Sequence, residues 1–140
     1  LDPRAVSNET KRDANFFRSD VSTGISTLSS FHESHVEAHN VDVTTLTEVL
    51  AGAFPEKIDF LKIDTEGFEL EILKGAKQTL KKCAFVVCEA SIGKRFENSY
   101  DFSELVVFMA DQGFTLKKML RVTVNKDNSV KMADVLFEPV

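Results

Sequence analysis

The stretch FLKIDTEGFEL, Phe60 to Leu70, sets three acids and a glycine directly behind an apolar run. A carboxylate is costly to bring near a core, so its presence there asks for a reason. Ile58 to Ile63 is apolar apart from Asp59 and Lys62, and Phe85 to Cys88 is wholly apolar. Such runs suit strands covered on both faces, as in a parallel sheet. Between them Phe68, Ile72, Leu73, Ala76 and Leu80 recur near helical spacing, with Gly75 interrupting that helix or ending its first segment. Strand, helix, strand predicts a βαβ unit with a right-handed crossover.

Two parallel neighbours carry their C-terminal ends to one edge of a sheet, roughly 4.8 Å apart. Asp64 closes the first strand and Glu89, 25 positions later, closes the second. Both carboxylates are then expected on the rim where open α/β sheets bind ligands. Glu66 lies in the intervening turn, and Gly67 allows a backbone conformation that other residues avoid. Capping and the helix dipole account for acids at a helix start without any chemistry. Glu69 and Glu71 are read that way, with Lys74 complementing the other end. For Asp64 alone the two explanations weigh about the same. The coincidence of Asp64, Glu66 and Glu89 on one rim turns the reading toward a site.

The rest of the chain sets limits. Its 140 residues suit a single domain, 1–140, and its 43% hydrophobic and 28% charged residues are those of a folded globular protein. A net charge of −5 argues against a broad nucleic-acid surface. The basic pairs Lys81-Lys82, Lys94-Arg95 and Lys117-Lys118 read as solvated strand and helix ends. No apolar stretch approaches the roughly 20 residues of a membrane span, and no signal sequence is visible. Cys83 and Cys88 bracket the start of a strand, where a disulfide would need a sharp turn, so both read as reduced thiols of a cytoplasmic protein.

Coarser features follow. Asp13 to Arg18 is expected as an edge strand, Ser19 to Ser34 as an exposed loop and Val41 to Leu46 as extended. Thr47 to Ala53 reads as a short helix capped by Thr45 or Thr47. Phe102 to Gln112 reads as a helix with Asp101 or Ser103 as cap and Gly113 as stop. Phe114 to Val124 and Lys131 to Phe137, joined by NKDNS, predict an antiparallel hairpin. His32, His35 and His39 have a spacing that on a helix would gather three zinc ligands, but the segment lacks helical signals and reads as a solvated loop. Of the twelve phenylalanines, Phe16, Phe17, Phe60, Phe85, Phe108 and Phe114 mostly fall where core is expected. Phe31, Phe96, Tyr100 and Phe102 lie in or beside loops, where they could line an acceptor pocket.

The segment IDFLKIDTEGFELEILKGA, Ile58 to Ala76, resembles the signature of the FkbM-type methyltransferases: a strand ending Lys-Ile-Asp, a variable residue, then Glu-Gly. Val86-Val87-Cys88-Glu89 resembles that family's next strand, Ala5-Val6-Ser7 its Ala-Leu-Ser segment, and VDVTTLTEVL the strand and helix before the signature. The resemblance implies a class I, Rossmann-like α/β fold, mostly parallel with a C-terminal antiparallel hairpin. It implies S-adenosylmethionine as methyl donor and, usually, O-methylation of a small-molecule or carbohydrate hydroxyl. Ser7 and Asn8 would lie near the adenine, Asp64 would face the methionine end, and Glu66 and Glu89 would shape the substrate side. Asp64 or Glu66 would take the acceptor's proton, or either would hold a divalent cation that orients it.

The family's Gly-rich turn and the acid that holds the ribose have no counterpart in this sequence. The motifs therefore predict the C-terminal portion of a methyltransferase domain, its N-terminal cofactor-binding strands absent. Such a chain alone is expected to bind S-adenosylmethionine weakly or not at all, and to self-associate through an exposed sheet edge. The alternative is a non-catalytic α/β remnant or interaction module.

Overall fold

A computed structural model describes residues 2–19, 26–27, 36–93 and 99–140. Among the described residues the strands form two four-stranded sheets. The first has the order β1-β4-β2-β3, from β1 (Ala5–Ser7), β2 (Lys11–Ser19), β3 (Ser26–Thr27) and β4 (Val36–Thr45). β1 runs parallel to β4, with Ser7 opposite Thr45, while β2 is antiparallel to both β4 and β3. The expected edge strand Asp13 to Arg18 pairs with β4 along one side, and among the described residues the short β3 covers its other side only at Phe17 and Arg18. His39 sits in β4 opposite Phe16, not on a helix, and His32, His35, Phe31, Lys94, Arg95 and Phe96 lie outside the described residues.

Thr45 ends β4 and starts α1 (Leu46–Leu50). Its hydroxyl accepts the Glu48 N–H at 3.1 Å while Glu48 reaches back to the Thr45 N–H, a reciprocal capping box. A 3-10 turn, Ala51–Ala53, completes the predicted helix.

The second sheet has the order β5-β6-β8-β7, from β5 (Leu61–Ile63), β6 (Val86–Ser91), β7 (Phe114–Val124) and β8 (Val130–Pro139). β5 and β6 are parallel, as the βαβ reading requires, and β7–β8 is the expected hairpin. The sheets are mixed, however, and the expectation of a mostly parallel arrangement is corrected: each contains one parallel pairing and two antiparallel ones. The reason lies in the return strand. β8 alternates Ala133, Val135 and Phe137, all buried, so it satisfies the free side of β6 and leaves β7 outermost. The predicted strand Ile58–Ile63 is shorter than expected, and Ile58 makes only an isolated bridge to Cys83.

The crossover is α2 (Glu69–Gly75) followed by α3 (Lys77–Leu80). Leu70, Ile72, Leu73, Ala76 and Leu80 pack with Val86, Cys88 and Ala90 of β6, the inward residues of β8, and Leu105 and Met109 of α4 (Phe102–Asp111). Asp101 donates its N–H to Glu104 Oε2 at 2.6 Å ahead of α4, and Gly113, at φ +82°, stops the chain's helical path. Cys83 and Cys88 are both free and buried. β5 is the outermost strand of its sheet, beside the exposed Phe60. No helix among the described residues is long and apolar enough to cross a membrane.

Gly75 divides α2 from α3 for a packing reason. A Cβ there would fall onto the carbonyl oxygen of Ser7 and lie 2.9 Å from Asn8 Cα, both backbone atoms that cannot swing aside. The Thr47 hydroxyl donates to the Gly75 carbonyl at 2.9 Å, so α1 closes on the same point. Gly75→Ala should therefore destabilise by about 2 kcal/mol or more despite alanine's better helix propensity. Gly52→Ala, with nothing within 4 Å of the new methyl, should stay within about 1 kcal/mol of the parent. Urea midpoints of the two variants give the comparison, and equal midpoints would remove the close approach as the cause.

Candidate active site

The parallel register pairs Ile63 with Cys88, so the next residue on each strand, Asp64 and Glu89, stands on the same rim. Beyond Asp64 the chain turns through two left-handed residues, Glu66 at φ +54° and Gly67 at φ +92°. For glycine that conformation is free. For Glu66 it stores about 1–3 kcal/mol of strain. The turn swings Glu66 back toward the rim, and oxygens of Asp64, Glu66 and Glu89 all lie within 4.8 Å of one another. Asp64 is exposed while the other two are half-buried.

Lys62 Nζ lies 2.5 Å from Asp64 Oδ2. That bond, with the negative charges of Asp64, Asp134 and Glu89, raises the proton affinity of the Lys62 ammonium against a small opposing loss of solvent. Glu89 is pushed up from the ordinary carboxylate value, first by partial burial, then by Asp64, Glu66 and Asp134, the last directly opposite it in the β6–β8 ladder. Clustered carboxylates can take up a proton from a hydroxyl. They also offer the oxygen donors that hard divalent cations accept.

Glu69 corrects the sequence reading. It is no ordinary helix-start acid but a fully buried one. Its Oε1 accepts the Thr65 N–H at 2.9 Å, the Gly67 N–H at 3.1 Å and the Thr65 hydroxyl at 3.2 Å. Its Oε2 accepts the Tyr100 hydroxyl at 2.8 Å. A buried carboxylate is tolerable when so many donors meet it. The signal was in the periodicity: Glu69 shares the i, i+3, i+4, i+7 stripe of Ile72, Leu73 and Ala76, which points inward. Tyr100 is buried as well and does not line an open acceptor pocket. Burial and then the charge of Glu69 push its phenol far above the usual tyrosine range. Glu71 does behave as a surface acid, accepting from Lys74 Nζ at 2.5 Å.

Ser7 and Asn8 stand at the end of β1. The buried Ser7 donates its hydroxyl to Asn8 Oδ1 at 3.1 Å, and Asn8 Nδ2 donates to Glu71 Oε2 at 2.7 Å. Ser7 also lines a cleft of about 270 Å³ with Ala14, Phe17, Val43 and Phe68. The cleft reaches Phe68, next to Gly67, but Asp64 is not among its lining residues. The structure thus gathers Asp64, Glu66 and Glu89 in one group, while Ser7 and Asn8 form another against Gly75 and Glu71 of α2.

The family model described as the methyltransferase FkbM domain matches residues 3–116, a span that takes in both groups. No curated protein and no solved structure matches the chain.

Tyr100→Phe removes one donor from a buried carboxylate and should cost about 1–3 kcal/mol in urea unfolding; an unchanged midpoint would show that water replaces the phenol. Glu89 has the opposite sign. Its proton is held more tightly in the folded chain than in the unfolded one. Its contribution is therefore complete below the ordinary value of 4.5 and is lost as pH rises through the raised folded value. Glu89→Gln should then stabilise at pH 7, by no more than about 1 kcal/mol for such a solvent-screened group, and the advantage should vanish near pH 4. Thermal melts across that range test the sign.

Proposed function

The chain belongs to the FkbM methyltransferase family, and from that premise we propose that its acid rim is the acceptor side of an S-adenosylmethionine-dependent O-methyltransferase. One observation carries the reading: three carboxylates from two separate parts of the chain converge within 4.8 Å at the ends of parallel strands. The order β5-β6-β8-β7 supports a class I, Rossmann-like sheet, of which this chain would supply one side. An acceptor rich in hydroxyls, a small molecule or a carbohydrate, suits ionised acids, which only accept hydrogen bonds.

When bound, S-adenosylmethionine supplies an electrophilic methyl group on a positively charged sulfur. The residues present fit part of it. The cleft beside Ser7 falls short of the roughly 300–1,000 Å³ of a complete small-molecule site but suits one flat ring, with Val43 and Phe68 as apolar walls and Ser7, Glu9 and Asn15 as polar edge.

On the acceptor side, alignment of the hydroxyl supplies much of the acceleration. The proton must leave that hydroxyl, and the best base has a proton affinity near the working pH. Partial burial and three acidic neighbours favour Glu89 for this role over Asp64, which is tied to Lys62. Asp64 and Glu66 then orient the hydroxyl. The same spacing of oxygens favours a second reading, in which a divalent cation held by these acids orients the acceptor.

In the intact protein, Asp64→Asn and Glu89→Gln should each lower methyl transfer from labelled S-adenosylmethionine by about 100-fold or more. Undiminished turnover in either variant would remove that residue from the chemistry. A chelator separates the two readings: activity should survive it if Glu89 acts as base without a metal, and should fall and return on adding magnesium if a cation is needed.

A further inference from the structure

Glu69 is a buried carboxylate that the chemistry above leaves without a task. Its donors come from two separate parts of the chain, the Thr65–Gly67 turn and Tyr100. Two backbone N–H groups two residues apart can converge on one oxygen only if the chain between them curls. The curl is the left-handed pair Glu66 and Gly67. That same pair returns the Glu66 carboxylate to Asp64 and Glu89. The second oxygen of Glu69 is held by Tyr100, which immediately precedes the Asp101 cap of α4. The carboxylate is thereby anchored from outside its own helix.

We propose that Glu69 is a positioning residue of the acid rim: it curls the Thr65–Gly67 turn so that Glu66 and Asp64 meet Glu89, and Tyr100 locks Glu69 in that role. The kinetic part rests on the methyltransferase reading, whereas the structural part rests on geometry alone. What matters in this scheme is an acceptor oxygen in the right place, not a negative charge. Glutamine retains such an oxygen and can still bond Tyr100 through its amide. Alanine retains neither.

The test has two arms. In the unaltered protein, the Thr65 and Gly67 amides should exchange with solvent as slowly as those of the core strands; rapid exchange of both overturns the proposal. In kinetics, Glu69→Ala should lose about 100-fold in kcat while the KM for S-adenosylmethionine moves by less than about threefold. Glu69→Gln should recover most of that loss, to within about tenfold of the parent. A glutamine variant as slow as the alanine variant, or an alanine variant at full kcat, overturns the proposal. Should Glu69→Ala not fold, Tyr100→Phe replaces it and should quicken exchange at Thr65 and Gly67 by about tenfold; unchanged exchange there overturns it. Failure of the unaltered protein to methylate any hydroxyl acceptor counts against the functional reading alone, because amide exchange requires no substrate.

Discussion

Three residue pairs of parallel ladder, Leu61–Ile63 against Val86–Cys88, decide where the acids stand. Because the two strands run the same way, the residues that follow Ile63 and Cys88 emerge side by side. In an antiparallel pairing they would emerge at opposite ends of the ladder. The crossover through α2 and α3 makes this direction possible. Its apolar stripe lies on the face of β6 that carries Val86, Cys88 and Ala90, so burial of the helix and direction of the strand reinforce each other. The ladder is short and its outer side carries no further strand among the described residues. Much of its stability must therefore come from the packed face, not from hydrogen bonds along the edge.

A second constraint joins the two sheets. The Ser7 carbonyl presses against Gly75, and Asn8 bonds Glu71 one turn earlier on α2. Through these contacts the end of β1 and the acid turn share one short helix. The groups assigned to the adenine end and those assigned to the acceptor therefore keep a common frame, although they belong to different sheets.

Much of this was legible in the residues. The apolar run before Glu89 announced a buried strand, whereas the run before Asp64 became an edge strand of which only Ile63 is buried. The strand-helix-strand order announced a crossover, and NKDNS announced the hairpin. Gly75 was recognised as a break, although its cause, a carbonyl arriving from β1, is a tertiary contact that no local pattern contains. The position of β8 was not legible. Alternating apolar residues show that a strand has a buried face but not which neighbour it will join, so the antiparallel insertion between β6 and β7 went unforeseen. The role of Glu69 was partly legible. Its place on the inward stripe of α2 was visible, but the default that acids at helix starts are caps outweighed it. Its partner Tyr100, 31 residues away, could be found only in three dimensions.

The insertion of β8 also bears on the order in which the molecule assembles. Until residues 130–139 are available, β6 has one bare side, and the seat of the fully buried Phe137 is empty. During synthesis, the strand that bears Glu89 thus emerges about forty residues before its inner neighbour. The rim can reach its final form only after that late partner docks, a long-range closure of the kind that slows folding. Meanwhile the waiting edge is open to chaperones and to other nascent strands.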